Sequence, residues 1–103
     1  MTRLLDDEEI ERQLGDLPGW TRDGDTIRAS YRAPAFLDGI ALVQEVAAAA
    51  ETMDHHPDID IRWRTVSFAL STHSEGGLPQ LDIELAHQIS QEAARRGATS
   101  AAG

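Results

Sequence analysis

The chain has 103 residues, 41% of them apolar and 26% charged, which fits one soluble domain with a modest core. A formal net charge of −9 and a pI near 4.6 set it against phosphate backbones and anionic lipid, so nucleic acid and membrane are excluded as partners. The lack of cysteine excludes a disulfide scaffold, thiol catalysis and thiolate-bound zinc, and is compatible with a reducing cytoplasm.

Residues 1–12 are acidic and carry no hydrophobic run of signal-peptide type. The longest apolar region, residues 40–50, is broken by Gln44 and Glu45 and is too short to span a bilayer. A soluble, unprocessed, cytoplasmic protein is therefore expected, with one domain over residues 1–103 and a frayed tail over 97–103.

The first element is a short helix. Asp6 caps it in a capping-box relation with Glu9; Leu5, Ile10 and Leu14 supply a partial apolar stripe, and Gly15 and Pro18 stop it. A short strand over residues 20–22 leads through the turn signal Asp23-Gly24-Asp25 into a half-buried strand. In that strand Ile27, Ala29, Tyr31 and Ala33 alternate with polar residues.

A long helix over residues 35–54 should follow, with Phe36, Ile40, Val43, Val46 and Ala47 on one face and Leu42, Ala49 and Ala50 widening it. His56 precedes Pro57 and so should end it. A second hairpin alternates Ile59, Ile61 and Trp63 with Val66, Phe68 and Leu70 across a tight turn near Arg64-Thr65. Gly76-Gly77 marks a loop. The last helix starts near Pro79, and Leu81, Leu85 and Ile89 face inward on it, with Leu78 near its start. The order α-β-β-α-β-β-α predicts an α+β domain: a four-stranded antiparallel sheet with three helices packed on one face. Open sheet edges in so small a unit favour self-association.

Of the four histidines, His55 and His56 close the long helix and His73 closes the fourth strand, whereas His87 points away from the apolar stripe of the last helix. Glu51 precedes His55 by one helical turn and is the expected partner of its ring. Asp54 and Asp58 flank the pair. Asp82 lies in the first turns of the last helix, where the dipole favours a carboxylate. Taken singly, each has a bland reading as a helix end, a loop histidine or a solvated acid.

Their joint spacing is informative. Glu51, His55-His56-Pro57, Trp63, His73 and Asp82 stand at intervals that resemble the signature of the pterin-4a-carbinolamine dehydratases. Gly19-Trp20, Ser71-Thr72-His73, Gly76-Gly77-Leu78 and Asp82-Ile83-Glu84-Leu85-Ala86 resemble the same family, and the likeness runs over residues 5–93. It implies the fold read above, a homodimer or homotetramer, and a pterin site. In that site His55, His56 and His73 would be catalytic, and Asp54, Ser71, Thr72, Glu51, Pro57, Trp20 and Asp82 would bind or support the substrate. The sequence departs from the family pattern at Pro79, where a serine or threonine cap is usual, and at Leu81, where many members are basic. Weaker local support for Asp82 is the expected consequence.

The implied activity is loss of water from 4a-hydroxytetrahydrobiopterin in tetrahydrobiopterin recycling, the pterin being substrate and no cofactor being needed. An aromatic amino acid hydroxylase is the implied metabolic partner. The hydroxyl must gain a proton as it leaves, and the adjacent ring nitrogen must lose one. Imidazole, with a reference pKa of about 6.5, suits either role. His55 and His73 are expected to carry most of the proton transfer, with His56 positioning substrate or serving the opposite stereoisomer. Trp20 is an expected stacking partner for the ring. Two other readings compete. A metal site is disfavoured because the helical His-x-x-x-His spacing is absent. A non-catalytic interaction or assembly module on the same fold is disfavoured by retention of all three histidines.

Overall fold

The computed structural model describes residues 4–71 and 77–101. The elements in order are α1 (Asp7–Leu14), β1 (Thr21–Asp23), β2 (Thr26–Arg32), α2 (Phe36–Met53), β3 (Asp58–Arg62), β4 (Thr65–Leu70), α3 (Gln80–Arg95) and a two-residue β5 (Thr99–Ser100). The four main strands run in the order β1-β2-β4-β3, all antiparallel, as expected for two hairpins joined edge to edge. Thr99 and Ser100 pair with Arg32 and Tyr31, so this part of the tail forms a strand instead of fraying.

The apolar alternation places Ile27, Ala29, Tyr31, Val66, Phe68 and Leu70 on one sheet face, where they meet the helices in a single core. Each of the larger side chains buried there contributes roughly 1.5–3 kcal/mol. Asp6 caps α1 by accepting a hydrogen bond from the Glu9 amide at 2.8 Å. In the β1–β2 turn, Gly24 supplies the positive φ of 63°.

The structure corrects several details of the pattern reading. The buried stripe of α2 is Gly39, Leu42, Val46 and Ala50, with Val43, Ala49 and Met53 at its margin, whereas Phe36 and Ala47 face outward. Gly39 explains the rotation: a β-carbon there would lie 3.3 Å from Val66 Cγ2, so the helix approaches the sheet most closely at this residue. Trp63 is not part of β3. It occupies the Trp63-Arg64 turn with a φ of 55° and is 74% exposed, its ring stacked under the Arg64 guanidinium. All five residues of β3 are exposed, because it is an edge strand that no helix covers. Leu81 faces outward, and the buried face of α3 is formed by Asp82, Ile83, Leu85, Ala86, Ile89 and Ala93. Pro79 stands at the helix cap position and not inside the first turn. No helix among the described residues is long and apolar enough to cross a membrane.

Candidate active site

The two histidines owe their positions to the way α2 ends. Asp54 takes a left-handed conformation, φ 50° and ψ 46°. The Asp54 amide donates to the Glu51 carbonyl at 3.1 Å and the His55 amide to the Ala50 carbonyl at 2.9 Å. This paired termination satisfies the Ala50 and Glu51 carbonyls and turns the chain sharply. Aspartate tolerates the left-handed region better than most residues. His55 thus leaves the helix face on which Glu51 lies. Pro57 fixes the extended lead into β3.

The pairing therefore differs from the expected one. Glu51 Oε1 accepts from His56 Nε2 at 2.6 Å, and His55 Nε2 bonds to Asp82 Oδ1. The environments differ sharply. Asp82 is fully buried and the His55 side chain is 14% exposed, while the His56 and Glu51 side chains are 56% and 79% exposed. A buried carboxylate needs a partner, and the imidazole of His55 supplies one.

Asp82 is well supported despite the unusual residues around it. It sits in the first turn of α3, where its carboxylate interacts favourably with the helix dipole. The start of α3 is pinned from α1: Gln13 and Gln80 exchange side-chain amide hydrogen bonds of 2.8 and 3.0 Å, and the Leu5 amide donates to the Leu78 carbonyl at 2.9 Å. These contacts hold the start of α3 in place although it has no side-chain cap.

The remaining predicted site residues divide. Ser71 directly follows β4 at the end of the sheet where β3 begins, the same end as His55 and His56. Pro57 is half-buried there and Asp54 is exposed. Trp20 is elsewhere. Its ring is buried, and Nε1 lies 3.0 Å from both Tyr31 Oη and Ser90 Oγ, with those two oxygens also 3.0 Å apart. Ser90 is eight residues from Asp82 along α3, about 12 Å away. Thr72 and His73 lie outside the described residues. His87 is half-buried. No group of three or more potential metal-binding histidines and acids occurs among the described residues.

Pattern reading missed the His55–Asp82 pair, although the signal was present. Asp82, Ala86, Ile89 and Ala93 form one helical stripe, so an acid stands in a row otherwise apolar. Such an acid is buried and demands a partner.

The arrangement can serve as an oriented base. With Nε2–H donated to Asp82, the neutral ring of His55 keeps its lone pair on Nδ1. That atom has no protein partner among the described residues.

The model of the family described as pterin 4 alpha carbinolamine dehydratase matches residues 3–92. The chain belongs to this family. Members of the pterin-4a-carbinolamine dehydratase family are lyases, and similar proteins cover most of this chain. A protein of Nocardia farcinica assigned as a pterin-4-alpha-carbinolamine dehydratase is 60% identical over 90 residues, 87% of this chain and 95% of that one. One of Mycobacteroides abscessus with the same assignment is 55% identical over 92 residues, 89% of this chain and 98% of that one. Among solved structures, the transcriptional coactivator/pterin dehydratase from Brucella melitensis superposes with a TM-score of 0.84 at 30% identity, covering 88% of this chain and 99% of that one. A pterin dehydratase-like RuBisCO assembly factor of the alpha-carboxysome superposes with a TM-score of 0.60 at 16% identity, over 72% of this chain and 86% of that one. That second likeness is one of fold.

Proposed function

We propose that this pterin-4a-carbinolamine dehydratase family member removes water from 4a-hydroxytetrahydrobiopterin, giving the quinonoid dihydropterin, by histidine acid–base catalysis. The observation that carries the reading is the His55–Asp82 pair: a little-exposed imidazole, held through one nitrogen by a buried carboxylate, with its other nitrogen unpartnered among the described residues. Such a ring can accept the proton of the pterin nitrogen on Nδ1 while the carbon–oxygen bond breaks and the carbon–nitrogen double bond forms. The departing hydroxyl takes a proton and leaves as water. His73 is the proposed donor to that hydroxyl, and His56, tethered only to exposed Glu51, positions substrate or serves the opposite stereoisomer. Ser71 and Thr72 would bond the amide-like edge of the ring. Catalysis of this kind contributes roughly 100- to 10,000-fold.

The substrate would come from an aromatic amino acid hydroxylase, whose product carries the 4a-hydroxyl. Self-association as a homodimer or homotetramer is part of the proposal. It is supported by the uncovered edge strand β3, with Ile59 and Ile61 exposed, and by exposed Phe36 and Leu37 on α2. Light scattering on the purified protein reads that state directly.

The test of function is to generate the carbinolamine in situ with a hydroxylase and follow its ultraviolet decay. Wild type should accelerate the decay, and the His55→Ala, His73→Ala double variant should show the background rate alone. No acceleration by folded wild type would remove the dehydratase reading for this chain.

A further inference from the structure

The sheet face away from the helices carries polar side chains that dehydration does not use. Antiparallel partners project to the same side of a sheet. The register therefore aligns Arg32 of β2, Thr65 of β4 and Arg62 of β3 in one row across three strands. The next row inward is Ser30, Ser67 and Asp60, and the one beyond it Arg28, Ala69 and Asp58. Small residues in the middle and charged ones at the margins leave a hollow of about 410 Å³ over these two inner rows, lined by Arg28, Ser30, Asp58, Asp60, Ser67 and Ala69, with the arginine row next to it along the strands. Sites for small organic molecules run from roughly 300 to 1,000 Å³. The Ser30 and Ser67 hydroxyls lie 2.7 Å apart on its floor.

Charge singles out the row. The chain has nine cationic side chains against eighteen acidic ones. Two of the nine flank one threonine hydroxyl, and the row holds no carboxylate. Among the described arginines, Arg32 alone has neither an ion pair nor a side-chain hydrogen bond. Arg62 bonds Asp60 through Nε at 3.1 Å, which leaves its terminal nitrogens to a ligand. The two arginine Cα atoms, two strands apart, are about 10 Å from each other, a gap that two extended arginine side chains can close around an anion.

We propose that this face binds a small organic phosphate the size of a mononucleotide. Arg32 and Arg62 clamp the phosphate above Thr65, with charge-assisted bonds of the kind guanidinium groups make to phosphate. The organic part lies in the hollow, where Asp58 and Asp60 accept N–H donors and Ser30 and Ser67 bond its heteroatoms. The site is on the opposite side of the sheet from His55, so it stands or falls independently of the dehydratase reading.

Calorimetric titration of the whole protein with adenosine 5′-monophosphate, adenosine and inorganic phosphate at low ionic strength tests it. The nucleotide should bind at least about tenfold more tightly than either control, since clamp and hollow act together. The Arg32→Gln, Arg62→Gln double variant should lose most of that advantage while binding adenosine like wild type. Arg32→Gln alone, at an exposed position, should weaken the nucleotide by roughly fivefold, and it keeps the test decisive if the double variant misfolds. Equal binding of nucleotide and adenosine, equal binding of nucleotide and inorganic phosphate, no binding, or full affinity in the arginine variants would each overturn the proposal.

Discussion

Two imidazole–carboxylate pairs stand side by side at the end of α2, and they are physically unlike. His55 bonds the fully buried Asp82 and links α2 to α3, while His56 bonds Glu51 within a few residues of chain and in water. Exposed pairs contribute about 0–1 kcal/mol, because solvent competes for both partners. Breaking a buried pair is far more costly, since it strands a charge or dipole away from water. Adjacent residues of the same type can thus differ in environment because a single left-handed residue, Asp54, turns one of them inward.

The largest expected effect breaks the buried pair. His55→Ala removes the imidazole partner of the buried Asp82 carboxylate and should destabilise the fold by about 3 kcal/mol, read from urea unfolding at neutral pH. It should also lower the dehydration rate by at least roughly 100-fold. Asp82→Asn keeps the shape but not the charge. It should cost about 1–3 kcal/mol and lower kcat by roughly 100-fold with little change in KM, the pattern of a residue that orients a base without touching substrate.

Asp54 comes next. Asp54→Ala should destabilise by about 1 kcal/mol, because alanine is strained in the left-handed region, whereas Asp54→Gly should leave stability within a few tenths of that of the parent. The glycine variant sharpens the comparison. It keeps the turn and removes the carboxylate, so any loss of activity in it reports contact with substrate and not misplacement of His55. The smallest effect is expected at the exposed pair: Glu51→Gln should change stability by less than about 0.5 kcal/mol and activity by less than about threefold.

How far the sequence could be read follows from the same contrast. The hairpins, the capped first helix and the helix order came through because alternation and turn chemistry are local: Ile27-Ala29-Tyr31 and Val66-Phe68-Leu70 carry their burial in their own spacing. The inward face of α2 did not, because nearly every position from 39 to 50 is small or apolar, and only the close approach of Gly39 to Val66 selects the stripe. Ile59, Ile61 and Trp63 alternate like buried residues, but burial of a strand depends on what covers it, and β3 is an edge. At the site, joint spacing marked Glu51, His55, His56 and Asp82, which the structure brings together at the end of α2, but it did not give the partner of His55, and it included Trp20, which lies elsewhere. Glu51 is one turn away in sequence, and the decisive contact with Asp82 spans 27 residues and depends on a turn conformation.

The most direct test of the account is the tautomer of His55. A long-range proton–nitrogen correlation spectrum of the uniformly nitrogen-15-labelled protein, with His55→Gln for assignment, reads it at a pH where the ring is neutral. The account predicts a proton on Nε2, donated to Asp82, and an unprotonated Nδ1. A ring protonated on Nδ1, or one averaging freely between the two forms, would contradict it.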